Sequence, residues 1–209
     1  MKNPFENISQ KNVQKLLKSL DTDIIFFKEN AIITKTIFDS KSICIVIEGH
    51  LQIIKNNYTG NNVIIEELND NDIISFSSLY VESNEFDIIS KEDSKIILID
   101  ERRLINFNDN SKAYYNQFIK NLFLILNEKM KERNERIQVI TKKTIRDKLL
   151  EYFYIYRKKS GSINIYLPYN FTAFADYLGI NRSALMRELK NLKDEGFIET
   201  KGNRIKLLY

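Results

Sequence analysis

The sequence predicts an α+β chain with three parts: an antiparallel β domain (a sandwich or small barrel), a long helix, and a C-terminal winged helix-turn-helix. Three observations predict it. Short β-branched runs broken by polar turns fill residues 22–105. Thirty residues without glycine or proline follow at 111–140, with apolar side chains at helical spacing. The last third carries two cappable helices on either side of a glycine turn, and then a hairpin signal.

Residues 9–20, SQKNVQKLLKSL, place Val13, Leu16, Leu17 and Leu20 on one helix face, with Ser9 as a cap. The runs AIITKTIF, SICIVIEGHLQIIKN, NNVIIEEL, NDIISF, FDIIS and SKIILID are strand-length, and EG, TGNN and NDND supply turns. In residues 111–140, Tyr115, Ile119, Leu122, Leu126, Met130, Ile137 and Ile140 recur at intervals of three, four and seven, with Arg133 interrupting the seam. Such a helix is roughly 45 Å long at 1.5 Å per residue, more than a small barrel covers. The same helix of a second copy is the natural cover, giving a parallel two-fold dimer; a helix packed wholly within one chain is the alternative.

The final segment opens with a helix at 142–160, its apolar positions Ile145, Leu149, Leu150, Phe153 and Tyr156, closed by Gly161. INIYLP is a short strand. Asn170 caps a helix over 170–179 that turns Phe174, Tyr177 and Leu178 inward; Gly179 permits a positive-φ turn, and Asn181 caps a helix over 181–196. Two strands around Lys201-Gly202-Asn203 form the wing. The expected domains are 1–108, 109–140 and 141–209.

Composition bounds the function. A hydrophobic content of 43% and a charged content of 29% are those of a globular chain. No signal peptide or membrane span is expected, and the chain reads as cytoplasmic. One cysteine, Cys44, excludes a disulfide framework or a four-cysteine cluster, and one histidine, His50, excludes a histidine-rich metal centre. Without a glycine-rich phosphate loop or a supported nucleophile–base arrangement, an enzyme is not expected. The formal charge of +4 is uneven: residues 141–209 hold 14 Lys/Arg against 7 Asp/Glu, net +7, leaving −3 for residues 1–140. A basic C-terminal third points to a polyanion.

That third also holds the candidate contacts. A helix buried by Leu185 and Leu189 turns Arg182, Ser183 and Arg187 outward. A solvated face is the plain reading, but the turn, the caps and the hairpin together suit a helix entering the major groove of DNA. Arginine can donate two hydrogen bonds to guanine, and Ser183 is a short donor or acceptor. At the helix starts, where Asn170, Thr172 and Asn181 stand, backbone N–H groups can hold phosphates. Lys190, Lys193, Lys201, Arg204 and Lys206 add sequence-independent attraction.

The stretch ADYLGINRSALMRELKNLKDEGFIE (175–199) closely resembles the DNA-reading segment of the CRP/FNR family of bacterial transcription regulators. The order of elements over about residues 10–209 resembles that family too, and VIEGHLQI (46–53) is similar to the strand–Gly–strand of its β-roll. The resemblance implies a cyclic-nucleotide-binding-like β-roll, a dimer helix and a winged helix-turn-helix. It also implies base and phosphate contacts at Arg182 and Arg187 and a base-proximal Ser183. Ser183 stands where founding members have glutamate, so the operator should differ. Phe171 stands where many members have arginine or another polar group, so a phosphate contact is lost.

On the ligand side, members that bind cyclic nucleotides carry Gly-Glu-(Leu/Ile) followed by Arg-(Ser/Thr)-Ala. Here Ser77, Ser78 and Leu79 stand at the first motif and no arginine follows. Residues 56–90 contain no Lys or Arg, but do contain Glu66, Glu67, Asp70, Asp72, Glu82, Glu85 and Asp87. A bound phosphate needs a cation or several donors, so cyclic AMP or GMP is not expected. Haem ligation by His50 and redox chemistry at Cys44 are disfavoured against structural roles.

The expected function is therefore a homodimeric, sequence-specific DNA-binding regulator with an unidentified effector. The alternative is a receptor whose β-roll senses a small molecule. Expected partners are double-stranded DNA with a near-palindromic operator and a second copy of the chain. RNA polymerase and an unidentified small-molecule effector are further candidates; no cofactor, metal or membrane is expected.

Overall fold

A computed structural model describes residues 3–22, 24–34, 41–56, 62–75, 86–106, 112–167 and 170–209. The chain divides into two compact units, Met1–Glu128 and Lys129–Tyr209.

In the first unit, α1 (Gln10–Ser19) precedes β1 (Ile24–Phe27), β2 (Ser42–Glu48), β3 (Leu51–Asn56), β4 (Asn62–Leu68), β5 (Ile73–Ser75), β6 (Phe86–Ser90) and β7 (Ser94–Asp100). Two antiparallel sheets result, one ordered β1-β7-β2-β5 and one ordered β4-β3-β6. Strand β2 shows why its sequence, SICIVIE, is an apolar run rather than an alternation. Cys44 and Val46 point into a core shared with Leu51, Ile53, Ile88 and Ile96. Ile45, between them, points the other way into a core with Leu16, Leu20, Ile97, Phe118 and Leu122. The first sheet is thus covered on both faces, by the second sheet and by helices.

Gly49 closes the β2–β3 turn at φ +115°, and a Cβ there would lie 2.3 Å from the Ser94 hydroxyl oxygen and 2.7 Å from its Cα. Only glycine fits both the dihedral and the space. Asp70 and Asp72 are turn formers: Asp70 Oδ1 accepts from the Gly49 N–H (2.8 Å), and Asp72 Oδ2 accepts from the Asn69 N–H (2.9 Å).

One strand falls inside the 22–105 stretch read as strands without being among the runs named there, and two other features depart from the sequence expectation. Ile24–Phe27 is a strand, paired with β7 from Ile24↔Ile97 to Phe27↔Ser94. A short helix, α2 (Glu101–Ile105), ends the stretch read as strands, and the Asp100 carboxylate caps it by accepting from the Arg102 N–H at 2.8 Å. Ser9 occupies the N-cap position of α1 but makes no side-chain capping bond. Of AIITKTIF, Ile32 bridges Ile89; residues 35–40 lie outside the described set, as does the TGNN turn as far as residue 61.

The long helix, α3 (Ala113–Ile140), has 28 residues. Its apolar positions form two seams, not one. Tyr115, Phe118, Leu122 and Ile125 are buried in the first unit. Phe123, Leu126, Met130, Ile137 and Ile140, about a quarter turn away, are exposed: Phe123 by 64%, Met130 by 62% and Ile137 by 52%. Both seams follow three-four spacing, so periodicity alone merged them. Asn121 is buried beside the first seam, and its amide donates to the Pro4 and Glu6 carbonyls (2.9 and 2.8 Å), holding the N-terminal segment on the helix.

The second unit contains α4 (Ile145–Ser160), β8 (Asn164–Tyr166), α5 (Phe171–Leu178), α6 (Arg182–Asp194), β9 (Ile198–Lys201) and β10 (Arg204–Leu207). Strand β10 is central in an antiparallel sheet ordered β8-β10-β9. Phe153, Phe174, Leu178, Leu185, Leu192 and Ile205 centre a core to which every one of these helices contributes.

Candidate nucleic-acid interface

The local chemistry of α4, α5 and α6 explains where each begins. The Thr144 hydroxyl accepts from the Asp147 N–H at 3.0 Å and donates to the Asp147 carboxylate at 2.7 Å. Asn170 Oδ1 accepts from the Ala173 N–H at 2.9 Å, and Asn181 Oδ1 accepts from the Ser183 N–H at 2.8 Å. Gly179, at φ +62°, lets the Ile180 N–H reach the Ala175 carbonyl (3.0 Å) and the Gly179 N–H reach that of Asp176 (3.1 Å). Chain reversal between α5 and α6 thus takes three residues, 179–181.

Helix α6 is held from beneath. Leu185, Leu189 and Leu192 are buried. Arg146, on α4, donates to Glu188 (2.6 Å) and Glu195 (2.9 Å), clamping the far half of α6. The hydrogen bonds to Glu195 and Glu188 raise the Arg146 pKa, and the guanidinium holds the Glu195 carboxyl below its ordinary value. Lys148 donates to the Leu178 carbonyl at 3.1 Å, tying α4 to α5. The ring of Tyr152 lies 4.8 Å from that of Phe174.

The outer face of α6 is different. Arg182, Ser183, Met186, Arg187 and Lys190 are all exposed. Arg182 and Arg187 lie about 140° apart around the axis at 100° per residue, one on a flank and the other opposite the buried leucines. The Ser183 hydroxyl donates to Asn181 Oδ1 at 2.6 Å, so its proton is committed and its oxygen faces outward as an acceptor. Thr172, at the start of α5, is exposed too.

Two arginines stand apart from the rest. Arg102 pairs with Asp100, and Arg103 with Asp21. Arg136 donates to the Tyr177 carbonyl, Arg146 to two glutamates, Arg157 to the Tyr209 carbonyl and Arg204 to Asn164; Arg133 is also engaged. Among the described residues only Arg182 and Arg187 have no intramolecular partner.

On the wing, Lys201 and Arg204 flank the exposed Gly202-Asn203 turn. Lys201 has no partner among the described residues. Arg204 donates to Asn164 Oδ1 at 2.6 and 3.2 Å and lies 5.8 Å above the Tyr166 ring, which fixes its direction without neutralising it. Lys206 is paired with Glu199 at 3.3 Å. Phe171 is half-buried against the core, an apolar use of that helix start. The sequence reading missed Met186 and the supports Arg146, Asn164 and Tyr166. Helical spacing places Met186 one position out of phase with Leu185 and Leu189, a legible signal; the supports depend on contacts distant in sequence.

The candidate effector region is described only in part, since Ser77, Ser78, Leu79, Glu82 and Glu85 lie outside the described residues. Glu67 accepts from Gln52 at 3.0 Å and lies 3.9 Å from His50 Nε2. Cys44 is fully buried, and desolvation pushes its thiol up to about 12, where it stays protonated near neutrality. No group of three or more His, Cys, Asp or Glu side chains suited to a metal occurs among the described residues, nor any helix long and apolar enough to cross a membrane.

Residues 147–209 match the Crp-like helix-turn-helix domain. The solved structure of a cysteine-to-serine variant of CprK complexed with OCPA is similar over 92% of this chain and 88% of its own, at 17% identity and a TM-score of 0.68. A CooA mutant from Carboxydothermus hydrogenoformans covers 92% and 85% at 19% identity (TM-score 0.63). The c-di-GMP responsive regulator CLP of Xanthomonas campestris covers 95% and 99% at 13% identity (TM-score 0.56). No curated protein matches the chain in sequence. The chain has the α+β fold of CRP/FNR regulators along nearly its whole length, ending in a Crp-like helix-turn-helix.

Proposed function

We propose that this chain, with its Crp-like helix-turn-helix and CRP/FNR-type fold, is a homodimeric transcription regulator that reads a near-palindromic DNA operator in the cytoplasm. The observation that carries the reading is the pair Arg182 and Arg187. They are the arginines without an intramolecular partner among the described residues, and they lie on the exposed face of the helix that follows the glycine turn. An arginine without a carboxylate partner among the described residues keeps its donors for an external acceptor, and a guanine edge or a phosphate matches its planar fork. Asn170, Thr172 and Asn181 bring free helix-start N–H groups to phosphates, and Lys190, Lys201 and Arg204 add positive charge along the backbone.

The second seam of α3 supports the dimer. Phe123, Leu126, Met130, Ile137 and Ile140 occupy successive a and d positions of a heptad, broken at Arg133, and they stay exposed in the single chain. Two such helices side by side bury these side chains in each other. The two reading helices then address half-sites about one duplex turn, roughly 34 Å, apart. RNA polymerase is a further candidate partner, one that an activating regulator would touch and a repressing one would not need. The effector is not a cyclic nucleotide in this reading, because residues 56–90 offer no cation to its phosphate.

Selection of bound duplexes from random-sequence DNA by the purified protein tests the function directly. The expected product is an inverted repeat with half-sites about one turn apart; recovery of unrelated sequences in proportion to the input would refute it. Sedimentation of the free protein should give a dimer, and Met130→Glu a monomer.

A further inference from the structure

Met186 stands one helical turn after Arg182 and one before Lys190, so the three form a single stripe along α6. Leu185 and Leu189 beside it enter the core, whereas Met186 is 42% exposed. Its two neighbours on the stripe have no partner among the described residues. A large apolar side chain thus interrupts a cationic row on the face that the proposed function turns toward DNA.

The major groove offers one apolar feature, the C5-methyl group of thymine; every other base edge presents donors or acceptors. A flexible, polarizable thioether is suited to pack on such a group, and it cannot satisfy the polar edge of a G·C pair. We propose that Met186 is a specificity-determining residue that selects a thymine by contact with its methyl group, one step along the groove from the base pair reached by Arg182. The inference rests on the DNA-reading function above and adds to it the identity of one base.

The probe is the duplex that the wild-type protein recovers best from a random library, together with copies in which each thymine of one half-site is replaced in turn by uracil. Uracil pairs identically and lacks only the methyl. At one position the substitution should weaken wild-type binding about fourfold, the equivalent of the ~0.8 kcal/mol carried by one buried carbon group at 1.4 kcal/mol per tenfold. Met186→Ala should bind the parent duplex about fourfold more weakly and show no uracil penalty there, while still preferring it to random DNA through Arg182. Met186→Leu, which keeps an apolar tip, should retain the penalty. A wild-type protein indifferent to every thymine, or a Met186→Ala variant with an undiminished penalty, would overturn the methyl contact and leave DNA reading standing. A library that yields no preferred duplex would overturn the DNA-reading function itself, and the methyl contact with it.

Discussion

The first unit engages both of its arginines internally, whereas the second, among the described residues, leaves two of its seven without an intramolecular partner. In the first unit, Arg102 and Arg103 close ion pairs with Asp100 and Asp21, and hydrogen bonding from Arg102 holds the Asp100 carboxyl at about 2. Both serve local geometry: Arg102 sits in the first turn of α2 against its capping aspartate, and Arg103 ties that helix back to the turn after α1. In the second unit, Arg146 does similar work beneath α6, while Arg182 and Arg187 on the outer face have no intramolecular partner among the described residues. Charge count is therefore a weak guide to a binding surface. Which arginines have been left without an internal acceptor is a better one, because a satisfied guanidinium must break a charge-assisted bond before it can make another.

The core beneath α6 is essential to folding, and the cations above it are dispensable for folding but, in the proposed function, essential for binding. The largest effect should come from below. Phe174→Ala removes a fully buried ring between Tyr152 and Tyr177, and should cost ~3–5 kcal/mol in denaturant unfolding, with loss of all DNA binding. Arg182→Ala should leave unfolding unchanged and reduce discrimination between the selected operator and random duplex by ~1–3 kcal/mol in a mobility shift. Equal loss on both sequences would mean that Arg182 meets phosphate alone. Arg103→Ala, the control from the first unit, should leave that discrimination untouched.

Asn181→Ala joins the two effects, since its side chain caps α6 and orients the Ser183 hydroxyl. Loss of the cap should cost ~1 kcal/mol in thermal unfolding, with a further fall in operator affinity because Ser183 is released. The smallest effect belongs to the wing. Lys201→Ala should weaken specific and random DNA alike and flatten the salt dependence by about 0.9 in log K against log salt. Lys206→Ala should flatten it less, because Lys206 is already paired with Glu199.

The fold was legible where local chemistry and tertiary structure agree. The caps at Thr144, Asn170 and Asn181 lie 11 to 37 positions from one another, yet each bond spans only two or three residues, so short-range sequence carries the signal. The outward face of α6 was legible for the same reason: three leucines at helical spacing define its opposite. The strand at Ile24–Phe27 was not, because it is four residues long and an edge strand, and it gains its hydrogen bonds from β7, some seventy residues away.

The order of the main elements, the turns that demand a left-handed glycine, and the concentration of positive charge in the last third could be read from the chain alone. These follow from dihedral preference, side-chain spacing and composition, all of which act within a few residues. Which arginines remain available, and which of α3's apolar positions remain uncovered, was settled by tertiary packing. Whether Arg146 is a clamp and Arg182 a free donor depends on whether a glutamate arrives from another helix, and no spacing rule contains that distance.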